Sequence, residues 1–332
     1  MLTVAVVGIG RMGRLHLEVL SALGDPDLRV ACADPSASAR LWAACAGYDV
    51  YPSLDAALEV PAVGAVLIAA PTPLHAQLAR AALQAGRPVL CEKPGGFDPD
   101  ELLALGDLAD RSGVPIRLGY WHRFVPALRA ARARARAGEL GEVLAVHSAQ
   151  WDGAPPAGGF LDRSGGELVD MGVHELDFAA WLLGESLEAC GASMLLQPGG
   201  RNAAAGVARS QSGVVVTVSA GRFLPGGDGC WTEVLGTSDA IFDRWLWGES
   251  GGDINRAAVL KQDRCFVELV RRRRASSRSK NSGDGSPGGG TSDGLATVAE
   301  GARTLRTALQ LTRLAGEAAS IDTSPAQQRG PT

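Results

Sequence analysis

The run Thr3-Val4-Ala5-Val6-Val7-Gly8-Ile9-Gly10-Arg11-Met12-Gly13 decides the fold. A short apolar strand leads into glycines spaced G-x-G-x-x-G. Leu15, Val19, Leu20 and Leu23 then recur at the three- and four-residue intervals of an amphipathic helix. Glycine-rich turns are common by themselves, but a strand before and a helix after make this one specific. The first glycine permits the tight turn, the second lets an anion approach the backbone, and the third lets the helix pack on the strand. Unpaired N–H groups at the helix start then meet the pyrophosphate of a dinucleotide, so Gly8, Ile9, Gly10, Arg11, Met12 and Gly13 are the first cofactor candidates.

Outward from the turn, short apolar runs at 3–7, 29–33, 65–69, 88–92 and 115–119 alternate with helical stretches, the rhythm of βαβ units around a parallel sheet. From about residue 142 the runs lengthen and alternate, at 143–151, 187–196, 214–223 and 231–235, which suits an antiparallel sheet covered on one face. Helices are expected at 172–183, 255–272 and 295–319. The fold class is α/β: an N-terminal Rossmann doubly wound parallel sheet plus a C-terminal α+β domain with an open, mostly antiparallel sheet. The expected boundaries are 1–121 for the dinucleotide domain and 122–321 for the second, substrate-binding domain. Residues 275–294, almost all Ser, Gly, Asn, Asp and Arg, read as a mobile loop, and 322–332 as a tail.

Composition narrows the partners. The 332 residues are 46% hydrophobic and 20% charged with a net charge of −4, a folded chain with no general attraction to nucleic acid or anionic membrane. The one basic run, residues 271–280 (RRRRASSRSK), reads as a solvated face. No apolar run approaches the ~18 residues of a membrane span. The six cysteines lack any C-x-x-C pair, and the N-terminus lacks a basic leader, so a cytoplasmic protein with reduced thiols is expected. The five dispersed histidines show no ligand spacing, and no metal is expected.

Asp34 closes the second strand, where a carboxylate accepts the ribose hydroxyls of the adenosine half; a 2′-phosphate would meet like charge there, and no arginine stands directly beside it, which favours NAD over NADP. Lys93 is the sole lysine in the first 260 residues of a chain whose basic residues are nearly all arginine. It follows a buried strand, at Cys91-Glu92-Lys93-Pro94, and only an amine can adjust its proton affinity near neutrality. Asp170 and His174 are four apart, so on one helix the carboxylate reaches the imidazole and orients it as a base. His75 falls at the end of the third strand, beside the cofactor pocket. Past the fifth strand, Trp121 falls near the nicotinamide, and His122 and Arg123 are placed to hydrogen-bond a polyol. His16 and His147 read as structural.

The order of Gly8 to Gly13, Asp34, Cys91-Glu92-Lys93-Pro94, Gly119-Tyr120-Trp121-His122-Arg123-Phe124 and Gly165-Gly166 with Asp170 and His174 resembles the glucose-fructose oxidoreductase / inositol dehydrogenase / rhizopine catabolism (Gfo/Idh/MocA) family. The segment 291–296 and its following helix also fit, so the likeness spans nearly the whole chain. The resemblance implies Lys93, Asp170 and His174 as the catalytic set, commonly a cis peptide before Pro94, and dimers or tetramers assembled through the second sheet. Thr72 and Glu92 join the cofactor-binding candidates and Asp177 the substrate-binding ones. Within the family the chain looks most like inositol 2-dehydrogenases and other cyclitol dehydrogenases. It departs from them at Pro225-Gly226-Gly227-Asp228-Gly229, where those enzymes carry a tyrosine-rich stretch, and at His122, where many members have arginine.

The expected activity is NAD-dependent interconversion of a secondary alcohol and ketone on a cyclitol or sugar, of the myo-inositol, scyllo-inositol or aminocyclitol type. Two alternatives stand beside it. One is a redox-silent NAD-binding sugar sensor, which needs no proton relay; the other is a glycoside hydrolase that uses held NAD without net reduction.

Overall fold

The computed structural model describes residues 1–156, 159–246, 252–280 and 294–321. The chain divides into two compact units, Met1–Ala133 with Glu249–Leu305, and Arg134–Gly248 with Arg306–Thr332. The division is not the single cut expected at residue 121, because apolar positions of a late helix complete the core of the first unit.

In the first unit the strands are β1 (Leu2–Val7), β2 (Leu28–Ala33), β3 (Asp49–Tyr51), β4 (Val63–Ile68), β5 (Val89–Glu92) and β6 (Ile116–Gly119). They pair in parallel in the order β3-β2-β1-β4-β5-β6, the doubly wound arrangement that sets a ligand crevice at the strands' carboxyl ends. Every residue of β1, β4 and β5 is buried, as a sheet covered on both faces demands. The helices are α1 (Arg11–Ser21), α2 (Ala37–Cys45), α3 (Leu54–Leu58), α4 (His75–Gln84), α5 (Pro99–Ser112) and α6 (Pro126–Arg136). Ala296 pairs with Leu118, its carbonyl accepting the Leu118 N–H at 2.9 Å, which covers the edge of β6.

The second unit holds α7 (Glu167–Asp170), α8 (Gly172–Leu183) and six strands: β7 (Val143–Trp151), β8 (Leu187–Leu195), β9 (Ala203–Ser210), β10 (Val215–Gly221), β11 (Gly229–Gly236) and β12 (Ala240–Leu246). Their order is β12-β11-β7-β10-β9-β8, with β7 and β10 the parallel pair and the others antiparallel. Ala204, Ala208, Val216, Val218 and Ala220 are buried on one face. On the other, Val207, Thr217, His147, Glu233 and Phe242 form one cross-strand row.

Two long helices close the described chain, α9 (Gly252–Lys280) and α10 (Val298–Ile321). The loop expected at 275–294 is corrected at its start: residues 275–280 continue α9, because extending a formed helix costs far less than nucleating one. Residues 281–293 lie outside the described residues, as does the tail at 322–332. The basic run, read as a solvated face, is anchored at three of its arginines. Arg271 pairs with Asp25, Arg273 donates to the Gly113 carbonyl at 2.9 Å, and Arg274 donates to the Met1 carbonyl at 3.4 Å, so these arginines fasten α9 to its own unit.

Candidate active site

The glycine turn separates three roles by space alone. Gly8 has φ of 92°, and a Cβ there would lie 2.7 Å from the Ala70 backbone. At Gly13 a Cβ would lie 1.8 Å from the Gly8 carbonyl oxygen, so the start of α1 packs directly on the turn. At Gly10, the N-cap of α1, a Cβ would meet nothing within 4 Å. That open space, faced by the helix start with no side-chain cap, fits a dinucleotide pyrophosphate. Behind the turn, His75 opens α4 and its Nε2 donates to the Ala70 carbonyl at 2.7 Å. It braces the backbone against which Gly8 is seated, while burial pushes its imidazole below the usual range. Thr72, half-buried, opens the 3₁₀ turn Thr72–Leu74 just before it.

Asp34 follows β2, and its two oxygens accept the Ile9 N–H at 2.7 Å and the Ser36 N–H at 2.8 Å. The carboxylate thus ties the glycine turn to the strand carrying it. Arg40 swings back from α2, and its Nη1 donates to the carbonyls of Asp34 and Pro35, each at 2.8 Å. The sequence placed no arginine beside Asp34; one helical turn later, the fold supplies one to its backbone.

At the end of β5 the Lys93-Pro94 peptide is cis, and Gly95 and Gly96 follow with φ of 88° and 152°. Glu92 is buried, and its Oε1 lies 3.1 Å from His16 Nε2, while His16 Nδ1 lies 2.7 Å from Asp263 Oδ2. Burial alone would lower the His16 imidazole, but Asp263 first and Glu92 second outweigh it and raise it to about 10. His16, read from sequence as structural, is thus the centre of a buried ionic triad spanning α1, β5 and α9. After β6, Trp121 meets the His122 ring edge-on, with centroids 4.2 Å apart. Burial, with the Lys93 ammonium adding to it, pushes His122 down to about 3, so its imidazole is neutral. The buried Arg123 guanidinium pairs with Glu300 at 3.3 Å.

In the second unit, Asp170 and His174 lie on two successive helices. Asp170 ends α7, Met171 stands between them with φ of −105° and ψ of −55°, and α8 begins at Gly172. The His174 N–H closes on the Met171 carbonyl at 3.0 Å, so the four-residue spacing crosses a break between two helices. Gly165 and Gly166, both with positive φ, turn the chain into α7. The Asp170 carboxylate receives Nη2 of Arg222 at 2.6 Å. Asp177, on α8, is fully buried. Beside His174, Glu175 is buried and bonded by the Ser148 hydroxyl, which lies 3.1 Å from the Thr232 hydroxyl. Burial raises Glu175 to about 7 against the opposing pull of Ser148. In the departing loop, Asp228 Oδ1 accepts the Gly153 N–H at 2.7 Å.

Arg222, Glu175 and Asp263 escaped the sequence reading. Their partners stand far along the chain, and none belongs to a spaced motif.

A doubly wound sheet, a glycine turn with room for pyrophosphate, and an acidic residue just after β2 define a dinucleotide-binding protein. Comparison with known proteins narrows the class. Residues 2–120 match the model of the oxidoreductase family with an NAD-binding Rossmann fold, and residues 128–242 match the GFO/IDH/MocA C-terminal domain. The chain belongs to the GFO/IDH/MocA family of NAD-binding dehydrogenases. It is 36% identical to the rhizopine catabolism protein MocA of Rhizobium meliloti, over 90% of this chain and 93% of that one. It is 33% identical to the scyllo-inositol 2-dehydrogenase (NAD(+)) of Bacillus subtilis, over 72% of each. Among solved structures it is similar to GenD2 from gentamicin A biosynthesis in complex with NAD, with a TM-score of 0.81 and 25% identity over 96% of this chain and 95% of that one.

Proposed function

We propose that this dehydrogenase interconverts a secondary alcohol and a ketone on a cyclitol, with Lys93, Asp170 and His174 as its catalytic set. The observation that carries the reading is the open space at Gly10, backed by the Asp34 carboxylate, in a chain whose relatives include an NAD(+)-dependent inositol dehydrogenase. NAD, when bound, supplies the hydride acceptor. Gly8 to Gly13 and Asp34 hold the adenosine and pyrophosphate half. Lys93 donates a hydrogen bond to the reacting oxygen, and His174 takes the hydroxyl proton. Asp170 stabilises the charge that His174 then gains. His122, held neutral, offers the polyol a donor and an acceptor without adding charge beside Lys93.

The open sheet face supports a homo-oligomer, dimer or tetramer. Phe242 is 70% exposed and Val207 and Val215 are over two-fifths exposed, an apolar surface of the kind a second copy covers. The six cysteines stand as thiols rather than in disulfides, which supports a reducing, cytoplasmic location; among the described residues no helix is long and apolar enough to cross a membrane.

The test is a panel of inositols, aminocyclitols and hexoses with purified protein and NAD, followed at the absorbance of the reduced cofactor. Reduction by a cyclitol in preference to hexoses supports the reading. Release of a sugar from a glycoside without NADH, or no turnover of any cyclitol, contradicts it.

A further inference from the structure

Arg222, the residue after β10, is 2% exposed, yet each of its guanidinium nitrogens faces a carboxylate. Nη1 lies 2.8 Å from Asp152 Oδ2, Nε lies 3.4 Å from Glu167 Oε1, and Nη2 lies 2.6 Å from Asp170 Oδ2. The arginine is itself held. Its backbone N–H donates to the Asn202 carbonyl at 3.0 Å, and Asn202 Nδ2 donates to the same Glu167 oxygen at 3.1 Å. The Phe160 ring centroid lies 5.8 Å from its Cζ. One planar cation therefore gathers three anions, from the end of β7 and both ends of α7.

We propose that Arg222 is a positioning residue for the dehydrogenase reaction, fixing the Asp170 carboxylate through its Nη2 so that Asp170 serves as a permanent anion. The proposal rests on the catalytic reading of Asp170. A lone hydrogen bond to an imidazole leaves a carboxylate free to rotate. A charge-assisted bond from a rigid fork fixes one oxygen and leaves the other for a second partner. Asp170 is the last residue of a four-residue helix, and the guanidinium reaches it from a different element of the same unit. Without the guanidinium, three carboxylates share the space of one cation, and repulsion turns Asp170 away or leads one of the three to take up a proton.

A double-mutant cycle on the holoenzyme tests this, using Arg222→Met, Asp170→Asn and the pair, with myo- or scyllo-inositol, whichever reduces NAD faster. Kd for NAD and Tm are measured alongside kcat. Arg222→Met is expected to lower kcat on the order of 100-fold, the cost of a misplaced catalytic group, with Kd for NAD within about twofold. The double variant is expected to be no slower than the slower single one, because residues acting as a unit are not additive. Arg222→Lys, which keeps the charge but loses the fork, is expected to recover part of the rate, and it carries the cycle if Arg222→Met does not fold. Effects on kcat that multiply, or a Tm loss with kcat unchanged, would overturn the proposal while leaving Asp170 catalytic. Full activity of Asp170→Asn would instead overturn the catalytic reading on which it rests.

Discussion

His16 and Asp263, 247 residues apart, meet at 2.7 Å with both side chains fully buried. The contact ties the helix that begins at the phosphate-cradling turn to one contributed by the late sequence, and through Glu92 it reaches the strand end that carries Lys93. Removing one partner of a buried ionic pair strands the other without water. Asp263→Ala is expected to lower the unfolding free energy by about 3–5 kcal/mol, measured by urea denaturation near neutral pH. A loss under 1 kcal/mol would show that the triad is not a fastening.

The same triad gives stability a direction in pH. The folded His16 holds its proton to about 10, above the 6.5 of the unfolded chain. Between those values the folded state binds the additional proton, so the contribution is complete below about 6.5 and fades as pH rises through 10. His16→Gln is expected to lose part of the fall in stability that wild type shows from pH 7 to 10. Parallel curves for the two proteins would count against a protonated His16.

Glu175 works in the same sense over a lower interval of pH. Its folded value of about 7 exceeds the ordinary 4.5, so the unfolded state sheds the proton first, and stability falls as pH rises through that interval. Glu175→Gln keeps a hydrogen-bonding group but no charge. Its stability relative to wild type is expected to be higher at pH 8 than at pH 5, as chemical denaturation at the two values reports.

The glycine turn predicts a separation of folding from binding. Gly13→Ala drives a methyl to 1.8 Å from the Gly8 carbonyl and is expected to destabilise the protein markedly. Gly10→Ala meets no atom of the chain, so Tm without cofactor is expected to stay within about 2 °C, while the methyl enters the pyrophosphate's space and weakens NAD at least tenfold. Calorimetry and NAD titration on the two variants check both halves.

The turn, all five strands read around it and the four read in the second sheet lie within two residues of their expected positions because their periodicity is strong. Three strands went unread for local reasons. Asp49–Tyr51 is three residues long, and Ala203–Ser210 is mostly alanine and glycine, poor strand formers that only neighbours on both sides hold extended. Ala240–Leu246 is an edge strand interrupted by Asp243 and Arg244. Of the proposed site, Lys93, Asp34 and the glycines stand out in the sequence because chemistry and spacing coincide. Arg222 was not, because its partners stand 52 to 70 residues away and an arginine among apolar residues carries no address. The single helix expected through Asp170 and His174 is divided into α7 and α8 at Met171, where the hydrogen bonding tightens while the apolar periodicity runs on.

The central claim is that Lys93 acts on the alcohol while the glycine turn holds the cofactor, and its most direct measurement is NADH formation by Lys93→Met beside an NAD titration of the same variant. The account predicts no detectable turnover of a cyclitol that wild type oxidises, with Kd for NAD within about threefold of wild type. A variant that turns over at the wild-type rate would contradict it.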